Sequence, residues 1–282
     1  MNSFPKIIEF QFHNLCNANC IICPYSDVKE RKGFMDELLF EQIITEVGDK
    51  EILLIPYLNN EPFLDPSYCE KIKKINDYCP NAKIEISTNL SKVNEKVIQK
   101  LCELNIYEMR ISFFAYSKVH YEKMMPGLCY EKVWSNLEKL LASDLKNKIS
   151  KISITMIEHE HLHASEFDNM KDLCTKNGIG FNKWGYLDRA GNNTKFSNRI
   201  YKKNIKACEQ KRPLERMHIL YDGTVILCCQ DWRREVVVGN LRNNTIQEIW
   251  MGDRYQEIRS KIYDEDRACI ELCKRCKLAV SN

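Results

Sequence analysis

The chain has 282 residues, 44% of them hydrophobic and 29% charged, with a net charge of +3 at neutral pH. That composition belongs to a folded chain with a sizeable core, and its near-balanced, evenly spread Lys and Arg leave no footprint for nucleic acid. No apolar stretch approaches 18 residues and the N-terminus lacks an apolar signal segment, so the sequence reads as cytoplasmic, with no membrane span.

Six short apolar or alternating runs predict strands: 6–13 (KIIEFQFH), 51–58 (EILLIPYL), 83–88 (KIEIST), 108–114 (EMRISFF), 151–157 (KISITMI) and 180–186 (GFNKWGY). Between them, 36–48, 66–78, 93–104, 131–145 and 164–177 carry apolar residues at helical spacing, as in Leu39, Ile43 and Val47 or Val133, Leu137 and Leu141. Such alternation predicts an α/β fold of parallel strands with right-handed crossovers, hence an open or closed βα barrel. The polar, turn-rich stretch RAGNNTKFSNR (189–199) then marks a boundary. It divides the chain into a barrel at 1–195 and a smaller unit at 196–282. In the smaller unit, 217–229 (MHILYDGTVILCC) reads as a β-hairpin around Asp222-Gly223, and a helix follows at about 245–262.

The chain has 14 cysteines, and clustered cysteines in a reducing compartment point to metal or redox chemistry. Cys69, Cys79, Cys102, Cys129 and Cys174 are scattered and read as small buried hydrophobes. The rest gather at the two ends. Cys16, Cys20 and Cys23 follow the first strand, at the strand end where βα barrels build their active sites. Thiolates are soft ligands for zinc or iron–sulfur clusters, and a structural zinc normally takes four protein ligands. Three thiolates on a four-iron cluster leave one iron open to an exogenous ligand.

The Cys16-x3-Cys20-x2-Cys23 motif in this position resembles that of the radical S-adenosylmethionine (radical SAM) enzymes. The resemblance implies a partial (βα)6 barrel and a 4Fe–4S cluster whose unique iron binds SAM. It also implies reductive cleavage of SAM to a 5′-deoxyadenosyl radical. LNNEPFLDP (58–66) resembles the family's Gly-Gly-Glu-Pro stretch, which contacts the SAM amino group. Asn59 and Asn60 stand in place of the glycines, followed by Glu61 and Pro62. Asn tolerates left-handed backbone angles, so the turn can survive. Ser87 and Asn89 after the third strand, and Ser112 near the end of the fourth, sit where the family often contacts SAM. They also read as ordinary turn, cap and strand residues. Ile22 stands where the family usually has an aromatic residue against the adenine.

The second cysteine group resembles the opening of the C-terminal SPASM/twitch extensions, with Cys208, fourteen residues, Gly223, four residues and then Cys228. GNLRNNTIQEIW (239–250) and Cys273-x2-Cys276 fit the same resemblance. It implies one auxiliary 4Fe–4S cluster held by Cys208, Cys228, Cys273 and Cys276, with Cys229 and Cys269 left over. Cys229 is an alternate ligand, a hydrogen-atom donor or a packed thiol. On spacing alone a zinc ribbon remains the rival.

The layout resembles the twitch-type aminocyclitol dehydrogenases, as does HYEKMMPGLCYEKVWSNL (120–137). That implies oxidation of an alcohol carbon on a small carbohydrate-like substrate, with the auxiliary cluster as electron acceptor and a flavodoxin or ferredoxin as donor. EHEHLH after the fifth strand supplies His159, His161 and His163, and LDRAGN after the sixth supplies Asp188 and Arg189. Arg189 suits bidentate binding of an anionic group, and His159 is a candidate for proton transfer. The competing readings are a ribosomal-peptide maturase, a redox-neutral epimerase or dehydratase, and a non-catalytic iron–sulfur or zinc scaffold.

Overall fold

Six parallel strands form where the short apolar runs predict them. They are β1 (Ile7–Phe10), β2 (Leu53–Ile55), β3 (Lys83–Thr88), β4 (Glu108–Ser112), β5 (Lys151–Ile157) and β6 (Gly180–Trp184), paired in that order. The computed structural model describes residues 3–193, 200–263 and 270–281. Helices α1 (Glu37–Val47), α2 (Tyr68–Tyr78), α3 (Glu95–Leu101), α5 (Tyr130–Ala142) and α7 (Ala164–Asn177) match the helical spacings. A short α4 (Lys118–Met124), buried through Tyr121 and Met124, and a single turn α6 (Leu145–Lys148) escape sequence prediction. Both are too short for a 3.6-residue period to stand out. Asp36 and Asn94 cap α1 and α3 by accepting the N–H of Leu39 and Val97.

Strand alternation sorts the barrel wall into two faces. Ile8, Phe10, Ile84, Ile86, Met109 and Ile111 pack outward in the core beneath the helices. Their neighbours Glu9, Glu85 and Arg110 point inward and pair within the barrel, Glu9 with Arg216 and Glu85 with Arg110. The lumen is therefore polar and charged, and these three inward charges are each paired.

The C-terminal strands are β7 (Ile205–Cys208), β8 (Arg216–Ile219), β9 (Thr224–Ile226), β10 (Val237–Asn240) and β11 (Ala279–Ser281). The expected hairpin is β8–β9. It continues the barrel wall, with β8 pairing parallel to β1 in the order β10-β9-β8-β1-β2-β3-β4-β5-β6. β7 pairs antiparallel with β11, which sets Cys208 opposite Ala279. Single turns α8 (Arg212–Glu215) and α11 (Glu271–Lys274) complete this region.

The helix expected over 245–262 is two helices, α9 (Ile246–Met251) and α10 (Asp253–Tyr263). Gly252 breaks it in an extended conformation, where a Cβ would lie 2.7 Å from the Glu248 carbonyl. Of the scattered cysteines, Cys69, Cys79 and Cys174 are buried and Cys102 is half-buried. Cys129 is exposed at the start of α5 with its sulfur toward Glu131 (3.4 Å), contrary to the expected buried role. Cys269 lies outside the described residues. Among the described residues no helix is long and apolar enough to cross a membrane.

Candidate active site at the mouth of the barrel

The loop carrying Cys16, Cys20 and Cys23 leaves β1 at its carboxyl end and is held from three sides. The Asn19 and Ile21 N–H groups donate to the carbonyls of Pro126 (2.7 Å) and Met124 (3.1 Å). Gly127 permits that contact: its φ is +92° and a Cβ there would stand 3.0 Å from the Asn17 carbonyl. The Cys16 N–H donates to the Tyr25 hydroxyl (2.7 Å), which donates to the Asn14 carbonyl. Asn17 accepts from the Asn89 amide (3.0 Å) and donates to Ser91 (2.9 Å), lacing the loop to the end of β3. Burial pushes the Cys16 thiol up to about 12 and the Cys20 thiol well above its ordinary value, with Cys23 close enough to raise both. Ligation at these protonated thiols displaces protons.

The Asn-Asn-Glu-Pro loop lies directly alongside. Asn59 adopts φ +59°, as the turn requires. The Asn60 side-chain oxygen accepts the Leu58 N–H (2.9 Å), while its buried side-chain nitrogen has no partner among the described residues. The Glu61 N–H donates to the Leu15 carbonyl (2.9 Å). Its carboxylate accepts from the Thr88 hydroxyl (2.7 Å) and the N–H groups of Asn89 (2.6 Å) and Phe63 (3.2 Å). Burial still pushes Glu61 up to about 7. His13 accepts the Leu15 N–H at Nδ1 (3.0 Å), so Nε2 carries the proton and donates to the Pro62 carbonyl (3.3 Å).

Ser87 bonds the Tyr57 hydroxyl inside the barrel, and Ser112 ends β4 on the same inward face as Arg110. Ile22 is buried in the core. His159 stands edge-on to Tyr186 with ring centroids 6.1 Å apart, beside His161 (4.7 Å), and burial lowers its pKa. His163 stands at the N-cap position of α7 without a side-chain cap, its ring 5.7 Å from that of His120. Among the described residues these histidines form no metal-ligating trio.

The loop after β6 meets the loop after β9. Asn192 donates to the Gln230 carbonyl (3.0 Å), and Asn193 reaches the Ile21 carbonyl in the cluster loop (3.1 Å). With its side-chain oxygen turned toward the surrounding donors, Gln230 accepts from Arg189 (3.2 Å) and Arg212 (3.0 Å). Around this junction, buried polar atoms lack partners among the described residues: both Asp188 carboxylate oxygens, Arg189 Nε, Asn192 Oδ1 and Trp232 Nε1. Buried polar groups are normally paired, so such a concentration marks a site shaped for something polar.

Cys208, Cys273 and Cys276 come together near Tyr263, whose hydroxyl both Cys208 and Cys273 affect, while Cys276 feels Cys208 and Arg212. The Cys276 N–H donates to the Cys273 carbonyl (3.0 Å), closing the Cys-x2-Cys turn. Cys228 is half-buried and receives the Gln230 N–H and Arg212 Nη1, both at 3.5 Å. Cys229 lies beside it. Its half-buried sulfur takes Arg212 Nη1 at 2.7 Å, packs by Leu58, Leu220 and Ile226, and groups with the buried Glu9 and His218. Burial opposes charge on His218, but Glu9 and Cys229 outweigh it and lift the imidazole to about 9. The hydrogen bond with Cys228 and the nearby guanidinium hold the Cys229 thiol down, while the same hydrogen bond pushes Cys228 up.

The all-thiol donor sets at both ends, the orphaned Asn60 amide and the N–H···S contacts at Cys228 suit iron–sulfur clusters and, at the first site, a polar ligand beside one. Residues 10–173, more than half of the chain, match the Radical SAM superfamily, and residues 208–277 match SPASM, the iron–sulfur cluster-binding domain. The chain belongs to the radical SAM superfamily and is an enzyme with a SAM-binding 4Fe–4S cluster and an auxiliary iron–sulfur site. A similar curated protein is the S-adenosyl-L-methionine-dependent 2-deoxy-scyllo-inosamine dehydrogenase of Niallia circulans, 23% identical over 98% of this chain and 94% of that one. The fold is similar to the crystal structure of BtrN in complex with AdoMet and 2-DOIA (TM-score 0.70, 22% identity, 98% and 94% of the chains). It is also similar to Streptococcus suis SuiB bound to its precursor peptide SuiA (TM-score 0.73, 14% identity, 98% of this chain and 70% of that one).

Gln230, Arg212, Asn192 and Trp232 are missing from the sequence expectations. They carry no motif and gain their place only through contacts between distant loops. Glu9 and His218 had one available signal, a charged residue at an inward strand position.

Proposed function

We propose that the chain oxidises an alcohol carbon of a small, polar, carbohydrate-like or aminocyclitol substrate. Cys16, Cys20 and Cys23 hold the SAM-binding cluster, and Cys208, Cys228, Cys273 and Cys276 the auxiliary one. When bound, these groups supply a 5′-deoxyadenosyl radical that removes one hydrogen atom and an acceptor for one electron; the remaining proton falls to the protein.

The observation that carries this reading is the set of unpaired buried polar atoms at the barrel mouth. Asp188 offers two acceptors, Asn192 a third, and Arg189 and Trp232 one donor each. A ring bearing several hydroxyl or amino groups satisfies such a mixed set, and an apolar ligand would leave it unpaired. Asp188 is the carboxylate of this set and takes the hydroxyl proton at Oδ. Arg189, turned at φ +56° and steadied by Gln230, orients the substrate. The Asn-Asn-Glu-Pro loop, Ser87, Asn89 and Ser112 form the wall for SAM, and Glu61 braces it. The units 1–195 and 196–282 divide these tasks, in a reducing compartment. The N. circulans relative matches along nearly its whole length, which favours a small substrate over a peptide.

The test is anaerobic incubation of reconstituted enzyme with SAM, reductant and 2-deoxy-scyllo-inosamine or related aminocyclitols. Stoichiometric 5′-deoxyadenosine with a product two mass units lighter supports the oxidation. 5′-Deoxyadenosine with an isomeric product overturns it in favour of epimerisation.

A further inference from the structure

Directly after Cys23, the chain runs through a short turn (Pro24–Ser26) into the segment DVKERKGF (27–34), which forms one bank of an open cleft of about 810 Å³. The other bank is the β8–β9 turn and residues 232–234. We infer that this cleft is the docking surface for an acidic one-electron carrier protein that reduces the SAM-binding cluster. The inference rests on the function proposed above, which requires an external electron.

The first support is position. Lys32 Nζ lies 4.0 Å above the Tyr25 ring and 3.4 Å from the Asn14 carbonyl. The Tyr25 hydroxyl in turn receives the Cys16 N–H. Phe34 contacts the His13 ring (5.4 Å), and His13 holds the Leu15 N–H. The cleft is thus the outer wall of the cluster loop, one side-chain layer from the thiols.

The second support is charge. Arg234 is neutralised by Glu30 (3.0 Å) and Asp222 (2.7 Å), pinning the two banks together. Lys29, Arg31 and Arg233 are exposed and, among the described residues, have no carboxylate within salt-bridge range. Phe34 stands among these cations 56% exposed. Exposed cations around an apolar centre match a carrier whose acidic rim surrounds the edge of its prosthetic group. The charged ends lie in solvent, not in a desolvated pocket, which suits a transient, charge-steered encounter rather than a small buried anion. The carrier loses one electron and the cluster gains it; no bond or proton moves.

The test compares the reconstituted holoenzyme with its K29E/R31E/R233E variant. Cluster reduction is followed by stopped flow with flavodoxin hydroquinone and separately with photoreduced deazariboflavin, a small neutral donor. The expected result is a 10- to 100-fold fall in the flavodoxin rate at low salt and a flattened salt dependence. Weaker binding of oxidised flavodoxin by calorimetry accompanies it. Deazariboflavin-driven reduction and SAM cleavage stay within about twofold of wild type. An unchanged flavodoxin rate overturns the inference. So does an equal loss with both donors, or a raised KM for substrate with the flavodoxin rate intact, which marks a small-anion site. Failure of the function itself reads differently: wild type then cleaves no SAM with either donor.

Discussion

Glu61 stands in the motif proposed to form the SAM wall, yet its carboxylate is engaged with Thr88, Asn89 and Phe63. The motif was legible in the sequence; the bracing was not, because two of the partners lie 27 and 28 residues away. With a folded-state pKa of about 7 against an ordinary 4.5, the folded protein holds this proton more tightly than the unfolded chain. The stabilisation is full below about pH 4.5, declines as pH rises and is gone above about 7, a span worth about 3 kcal/mol. Urea unfolding of SAM-free protein from pH 5.5 to 8 should show this decline, and Glu61→Gln should flatten it. His218 has the same sign in a higher window. Its stabilisation by Glu9 and Cys229 is present below about 6.5 and lost as pH rises through about 9. His218→Gln should remove the alkaline part of the decline and leave the acidic part, so the two variants separate the two residues.

Among the elements, strands β3 and β5 fall where their short apolar runs begin and end, because both faces of a barrel strand are buried and a short run is unambiguous. The segment 124–127 was legible only as a resemblance. Its work is mechanical: two of its carbonyls hold the cluster loop, and Gly127 lets the backbones approach. A methyl group there meets the Asn17 carbonyl and forces a positive φ on a residue with a Cβ, costing about 1–3 kcal/mol. Gly127→Ala should keep the far-UV circular dichroism of the barrel while lowering the iron bound at the first site after reconstitution. The signature is loss of SAM-dependent perturbation of the cluster spectrum with auxiliary-site iron retained. An unchanged iron content would show that the loop does not depend on this support. The α9–α10 break was missed for a related reason: Gly252 sits inside a helical spacing, and the extended turn it takes, with no room for a Cβ beside the Glu248 carbonyl, leaves no mark in the apolar pattern.

Across the whole molecule, the sequence pattern separates a barrel from a C-terminal unit, but strand pairing joins them. β8 lies against β1 in register from Ile7↔Arg216 to Phe10↔Ile219, more than 200 residues apart, a pairing no local pattern can reveal. Salt bridges repeat the connection: Glu9 with Arg216, Asp36 with Arg242, and Glu30 with Arg234. β1 also carries the Cys16–Cys23 loop, so the C-terminal unit buttresses the strand that positions the proposed first cluster. Removing it bares one edge of β1, leaves the buried Glu9 without its cations and exposes apolar residues that now pack across the junction. An uncompensated buried carboxylate alone costs several kcal/mol, comparable to the whole stability of a typical domain. A chain ending at residue 207 should therefore not behave as an independent barrel. It is expected to bind a hydrophobic dye, lose near-ultraviolet circular dichroism and fail to take up iron even though Cys16, Cys20 and Cys23 are intact. Substituting Cys273 and Cys276 in the full chain separates the causes. If the buttress is the sheet itself, that variant keeps the first cluster and its SAM response while the truncated chain loses both; if the auxiliary cluster is the buttress, the two fail together.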